Sequence, residues 1–237
     1  MQYWGITDRG VVRTQNQDAF TVRTLSDGHV LAVVCDGMGG ARAGNVASSM
    51  TVELFGQKLE NLSGDTNYRI VQAAIETNDE VFKRAITDDD CAGMGTTLVA
   101  AMVDRHCATL INVGDSRAYQ ISESGIKQIT RDHSVVEDLV VSGQLTREEA
   151  RNHPRKNLIT RALGCEPQLR ADLFRVEVRE GDRFLLCSDG LSNLVTEQEI
   201  LYEVIHGGQD DTCCQRLLEI ALHRGAPDNV TVVLVRC

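Results

Sequence analysis

Proline is scarce in this 237-residue sequence, three residues in all, and no Ser-, Pro- or Gly-rich linker interrupts it. With nowhere to cut, residues 1–237 read as a single domain of a size able to bury a substantial core. No apolar run approaches the ~18 residues of a membrane span, and the start MQYWGITDRG lacks the basic-then-apolar order of a secretion signal. A cytoplasmic chain with no membrane partner is therefore expected. Basic residues are outnumbered, 24 Lys and Arg against 34 Asp and Glu, for a formal net charge of -10. Binders of nucleic acid or anionic membranes need a basic face that displaces counterions, so no nucleic-acid partner is expected. Cysteine is not scarce, but its eight residues form no C-x-x-C pair and no His/Cys zinc spacing. Cys35, Cys107 and Cys187 lie in apolar runs, where a free thiol acts as a small hydrophobe. All eight are expected to be reduced, and the adjacent Cys213 and Cys214 read as helix packing, with a redox role as the sharper alternative.

What is present is a series of short β-branched runs, at 30–35, 97–103, 108–113, 183–188 and 230–236, each with the length and composition of a buried strand. Helical patterns lie at 43–59, with Val46, Met50 and Leu54 on one face, and at 68–86, with Val71, Ala74, Ile75, Val81 and Phe82. Two more run over 197–205 and 212–223. Residues 97–113 read as two strands joined by a polar turn, an antiparallel hairpin, which favours an α+β fold over a parallel doubly wound sheet. The least core-like stretch, 131–157, contains the capping box Thr146 to Glu149 and reads as a surface flap.

The segment VVCDGMGGARAG, 33–44, is rich in glycine but has no lysine, so it is not a phosphate loop. It also has Arg42 where a dinucleotide fingerprint needs its third glycine. What remains is Asp36, read as held at a strand end by a glycine turn. Asp18, Asp115, Asp189 and Asp228 also abut apolar runs. An isolated Asp-Gly or Asp-Asn is ordinarily a turn, but rigid strand ends can aim several carboxylates at one point. Converging carboxylates repel unless a cation separates them, and all-oxygen donors select Mg²⁺ or Mn²⁺. Two such ions can activate a shared water for attack on phosphorus. Arg13 could fork onto the phosphate oxygens.

Eight segments follow in order along the chain, five of them carrying these residues: RTQNQDAF (13–20), VVCDGMGGARAGNVAS (33–48), MGTTLVAA (94–101), NVGDSRAY (112–119), QITRDHS (128–134), LITRALG (158–164), LLCSDGL (185–191) and APDNVTVVLV (226–235). Together they resemble the metal-dependent serine/threonine protein phosphatases of the PP2C (PPM) type, in their compact bacterial form. The resemblance implies a four-layer αββα sandwich, two stacked mainly antiparallel sheets flanked by helix pairs. It implies that Asp36, Asp189 and Asp228 hold one ion, that Asp36 and the Gly37 carbonyl hold a second with Asp18 acting through water, and that Asp115 and Asp189 form a weaker third site. Arg13 would bind phosphate, and 131–157 would be the flap over the active site, with Asn157 near the third-metal side. Gly95, Thr96 and Thr97 look like scaffold.

The implied reaction is hydrolysis of phosphoserine and phosphothreonine on proteins by a water bridging two ions, in a monomer that reverses a serine/threonine kinase. A catalytically weak phosphoprotein-binding relative and a dedicated anti-sigma-antagonist phosphatase are the alternatives. Two positions depart from the family: Met38 and Ala41 stand where histidines are found in animal and many bacterial members. His133 and His153 are expected at the surface, so no general acid is assigned.

Overall fold

The computed structural model describes residues 1–40 and 43–237, so Ala41 lies outside the described residues. The chain begins with β1 (Gln2–Asp8), β2 (Asp18–Thr24) and β3 (Val30–Met38), followed by α1 (Ala43–Asn61) and α2 (Thr66–Thr87). It continues through β4 (Gly95–Thr96), β5 (Leu98–Val103), β6 (Cys107–Val113), β7 (Arg117–Ser122) and β8 (Gly125–Gln128), then α3 (Val135–Val141) and α4 (Arg147–Arg151). β9 (Asp172–Glu177), β10 (Arg183–Cys187), α5 (Asp189–Ser192), α6 (Glu197–Ile205), α7 (Cys213–His223) and β11 (Val230–Arg236) complete it. Among the described residues no helix is long and apolar enough to cross a membrane.

The strands form two sheets in which each pairing is antiparallel, ordered β1-β11-β10-β7-β8 and β2-β3-β5-β6-β9, with β4 on the end of β3. Side chains alternate across a strand, and that alternation builds three apolar layers. Leu31, Val33 and Cys35 face α1 and α2, where Phe55, Leu59, Ile70 and Val81 complete one core. Val30, Ala32 and Val34 face the other sheet and meet Phe184, Leu186, Val233 and Val235. The outer face of that second sheet, Leu185, Cys187, Val232 and Leu234, is covered by Ile200, Val204, Leu217 and Leu218 of α6 and α7. This is the αββα arrangement, and both faces of the central strands are buried, which is why they read as continuous apolar runs.

The helices depart from the expected faces. In α1 the buried line is Ala47, Thr51, Phe55 and Leu59, so Val46, Met50 and Leu54 fall on its flank and are half-buried. In α2 Ile75 is exposed while Ile70 and Ala73 take the core. Helix starts follow local chemistry: Asp65 caps α2 by accepting from the Tyr68 amide, and the expected capping box at Thr146 and Glu149 opens α4.

Candidate active site

The alternation that fills the inter-sheet layer also places the carboxylates. Val30, Ala32 and Val34 point between the sheets, and the next residue in that row is Asp36. Asp18 stands directly opposite it in the β2–β3 ladder. From the second sheet, Thr231 continues the row of Val233 and Val235, and Ser188 that of Phe184 and Leu186. At this one end the apolar layer gives way to polar groups. Asp36 is therefore not in a turn: β3 runs on through Gly37 to Met38. Gly37 is needed for close approach, because a Cβ there would lie 2.1 Å from the Gly44 carbonyl oxygen and 2.6 Å from that of Gln17. The chain turns at Gly39, where φ is +122°. Asp189 likewise opens the short helix α5 instead of a turn.

Like charges placed opposite each other destabilise a sheet, and here one of the two is buried and the other half-buried. Asp18 is only 6% exposed, and its Oδ2 accepts from Ser188 Oγ at 2.7 Å and Thr231 Oγ1 at 2.6 Å. Burial nonetheless pushes its carboxyl up to about 7, with Asp189 and Asp228 adding to the rise. Burial holds Asp36 well above the usual carboxylate range, reinforced by Asp18, Asp189, Asp115 and Asp228. Asp115 is raised by burial and Asp189, and Asp189 by burial and Asp228. The five aspartates singled out from the sequence are thus within electrostatic reach of one another.

The backbone around Asp36 is held from the neighbouring strands. Its amide donates to Thr97 Oγ1 at 2.9 Å, and its carbonyl accepts from Thr96 Oγ1 and the Thr97 amide, both at 2.9 Å. Arg13 Nη2 donates to Asp228 Oδ2 at 2.8 Å, at the rim. Its loop is tied down by Asn229, whose Oδ1 accepts from the Gln17 amide and whose Nδ2 donates to the Arg9 and Gln15 carbonyls, at 2.8, 2.9 and 2.9 Å. Gly10 lets that loop pass, since a Cβ would lie 2.1 Å from the Asp228 carbonyl oxygen. Sequence reasoning missed Asn229, Ser188 and Thr231, since their value lies in partners more than 40 residues away in the chain.

His133 corrects an expectation: it is 4% exposed, not at the surface. Its Nδ1 accepts from the Gly114 amide at 3.1 Å, and its Nε2 lies 3.2 Å from Asp172 and 3.2 Å from Arg161. Its amide also bonds the Gly114 carbonyl, so it braces the turn that carries Asp115. The 131–157 segment contains α3 and α4, and its return limb is pinned by the bonds Val135 N to Leu158 O and Thr160 N to His133 O. His153 is half-buried and Asn157 exposed.

The residues fit hard cations. Asp18 Oδ1 and Asp189 Oδ1 are buried without a hydrogen-bond partner, an expensive condition for a carboxylate, and the surrounding donors are all oxygen. Among the described residues no three acidic, histidine or cysteine side chains close into a ready ligand set.

Comparison with known proteins agrees with this geometry. Residues 10–217 match the family model described as Protein phosphatase 2C. The chain is 40% identical to the serine/threonine phosphatase stp of Listeria innocua, over 97% of this chain and 93% of that one. Its fold superimposes with a TM-score of 0.94 on the serine/threonine phosphatase Stp1 of Staphylococcus aureus, at 34% identity, covering 100% of this chain and 94% of that one. A structure of the catalytic domain of the serine threonine protein phosphatase PstP in complex with two manganese ions matches at 36% identity and a TM-score of 0.87, covering 98% and 96%. A cluster of buried and half-buried aspartates at the end of a two-sheet sandwich, and similarity along nearly the whole chain, place this protein in the protein phosphatase 2C family of serine/threonine protein phosphatases.

Proposed function

We propose that Asp18, Asp36, Gly37, Asp115, Asp189 and Asp228 form the metal-holding set of this phosphatase, that Arg13 grips the substrate phosphate, and that Asp36, Asp189 and Arg13 carry catalysis. The observation that supports it is the pair of buried, unpartnered carboxylate oxygens on Asp18 and Asp189, where burial and neighbouring aspartates raise the proton affinity of Asp18, Asp36 and Asp189. Asp36, Asp189 and Asp228 would hold one Mg²⁺ or Mn²⁺, Asp36 with the Gly37 carbonyl and, through water, Asp18 a second, and Asp115 with Asp189 a weaker third. Bound there, the ions supply the charge that lets the carboxylates ionise together and the acidity that activates water for in-line attack on phosphorus.

The chain's own residues orient the rest. Ser188 and Thr231 fix the Asp18 carboxylate, Thr96 and Thr97 fix the Asp36 backbone, and Asn229 fixes the Arg13 loop. Arg13 spends one nitrogen on Asp228 and keeps other donors of its planar fork for phosphate oxygens. Met38 has no proton to give, and both His133 nitrogens are engaged, so neither serves as general acid. We infer further that the chain works as one monomeric catalytic unit, reversing a serine/threonine kinase in the cytoplasm, a compartment that suits eight unpaired cysteines. The test is Mn²⁺-dependent hydrolysis of a phosphothreonine peptide. Asp36→Ala and Asp189→Ala each abolish it and weaken Mn²⁺ binding in calorimetry, and full activity in either variant overturns the assignment.

A further inference from the structure

Beside the aspartates lies a cavity of about 190 Å³, between the end of β3 and the limb that returns from the flap. Its lining includes Met38, Val113, Ile159 and Ala162 together with Arg161 and Arg170. Met38 is two residues beyond Asp36, and Val113 is two residues before Asp115. Two steps of extended chain cover about 7 Å. A substrate that brings its phosphorylated residue to the carboxylates therefore lays a side chain one or two positions away over this cavity.

The chemistry of the lining selects what enters. Met38, Val113, Ile159 and Ala162 form the apolar part of the lining and Thr160, Glu166 and Gln168 a polar part, while the two cations are already engaged: Arg161 with Asp172 at 2.7 Å and Arg170 with Glu166 at 3.0 Å. The volume falls short of the several hundred Å³ typical of a small-molecule pocket, and suits a single aliphatic side chain. The walls are held in place before anything binds. Thr96 and Leu163 exchange two backbone hydrogen bonds, at 3.0 and 2.8 Å, which fasten the returning limb to β4. The Thr160 amide bonds the His133 carbonyl at 2.8 Å. A preformed site loses less entropy on binding.

We propose that this cavity is a specificity subsite, which takes a leucine-, isoleucine- or methionine-sized side chain within two residues of the phosphorylated serine or threonine. The inference rests on the phosphatase site assigned above. Phosphothreonine peptides with leucine, and in a second set aspartate or glutamate, placed in turn at each of the four flanking positions against an alanine background measure it through kcat/KM with Mn²⁺. Leucine at one position raises kcat/KM by roughly tenfold or more, and Ala162→Phe, which fills the cavity, brings that ratio close to one. Ile159→Asn, which makes the wall polar, lowers the ratio as well and serves if Ala162→Phe does not fold.

Equal turnover of all peptides, or a ratio untouched by both variants, overturns the subsite alone. A preference for aspartate or glutamate over leucine overturns its apolar character and hands recognition to Arg161 and Arg170. If neither p-nitrophenyl phosphate nor any peptide is hydrolysed with Mn²⁺, the site assignment falls and the subsite with it.

Discussion

The hairpin of β2 and β3 carries aspartates at both ends, in opposite circumstances. At one end Asp18 and Asp36 face each other, and burial and their neighbours raise both carboxyls. At the other, in the connecting turn, burial also works against the Asp27 charge, but Arg69 and His29 more than offset it and bring that carboxyl down to about 2. Asp104, in the turn between β5 and β6, is similar: it accepts from the His106 and Cys107 amides at 2.6 and 2.7 Å and is lowered against the pull of burial. The fold neutralises its structural acids with cations and amides. Where it leaves acids buried and facing one another, the arrangement is kept for a ligand that brings charge.

The contrast breaks most visibly at Asp36. Asp36→Asn lowers Mn²⁺-dependent turnover by roughly 10²–10³-fold or more, the scale on which a charge that acts on the transition state counts. In the metal-free protein the same change removes a carboxyl whose ionisation burial and the neighbouring aspartates oppose, so the variant melts at or above the wild-type temperature. Added Mn²⁺ raises the melting temperature of the wild type, because an ion bound only by the native state stabilises it, and leaves the variant nearly unmoved. An apo variant that melts well below wild type would show that the Asp36 charge supports the fold.

Arg13 and Asn229 sharpen the comparison at the rim. Arg13→Ala removes a phosphate contact while leaving the carboxylates in place, so it raises KM by about tenfold with a smaller change in kcat and little loss of stability. Asn229→Ala frees the Gln17 amide and the Arg9 and Gln15 carbonyls. It raises KM as well, because Arg13 loses its anchor, but also costs about 1–3 kcal/mol in denaturant unfolding. Identical profiles for the two variants would mean that Asn229 acts only through Arg13.

The positions of these groups were unevenly legible in the sequence. The β-branched runs gave away the central strands, and the 97–113 hairpin gave away their antiparallel order, because burial on both faces leaves a compositional mark. The five aspartates were visible at the ends of apolar strand candidates, and Arg13 as a guanidinium close in sequence to Asp18. Hidden were β1, β7, β8 and β9, whose half-buried strands carry mixed residues, and the extension of β3 through Asp36 and Gly37, which local propensity reads as a turn. His133 was misplaced at the surface because its burial depends on Gly114, Arg161 and Asp172 meeting it from three separate segments. Asn229 looked like half of an Asp-Asn turn for the same reason.

The smallest effect tests the neutralised end of the hairpin. Asp27 keeps its charge in the native state through Arg69 and His29, so its folded value of about 2 lies below its ordinary value of 3.8. A carboxylate depressed in this way contributes stability that is fully present above about pH 4 and is lost as the pH falls through its folded value. Asp27→Asn therefore lowers stability by about 1 kcal/mol at neutral pH, the scale of one partly exposed ion pair with its hydrogen bonds. The gap between variant and wild type closes between pH 4 and 2, and Mn²⁺-dependent kcat/KM is unchanged throughout, since the residue lies at the far end of the strands from the carboxylate row. A drop in activity without a drop in stability would mean that the two ends of the hairpin are coupled, and that the division between structural and functional acids does not run along it.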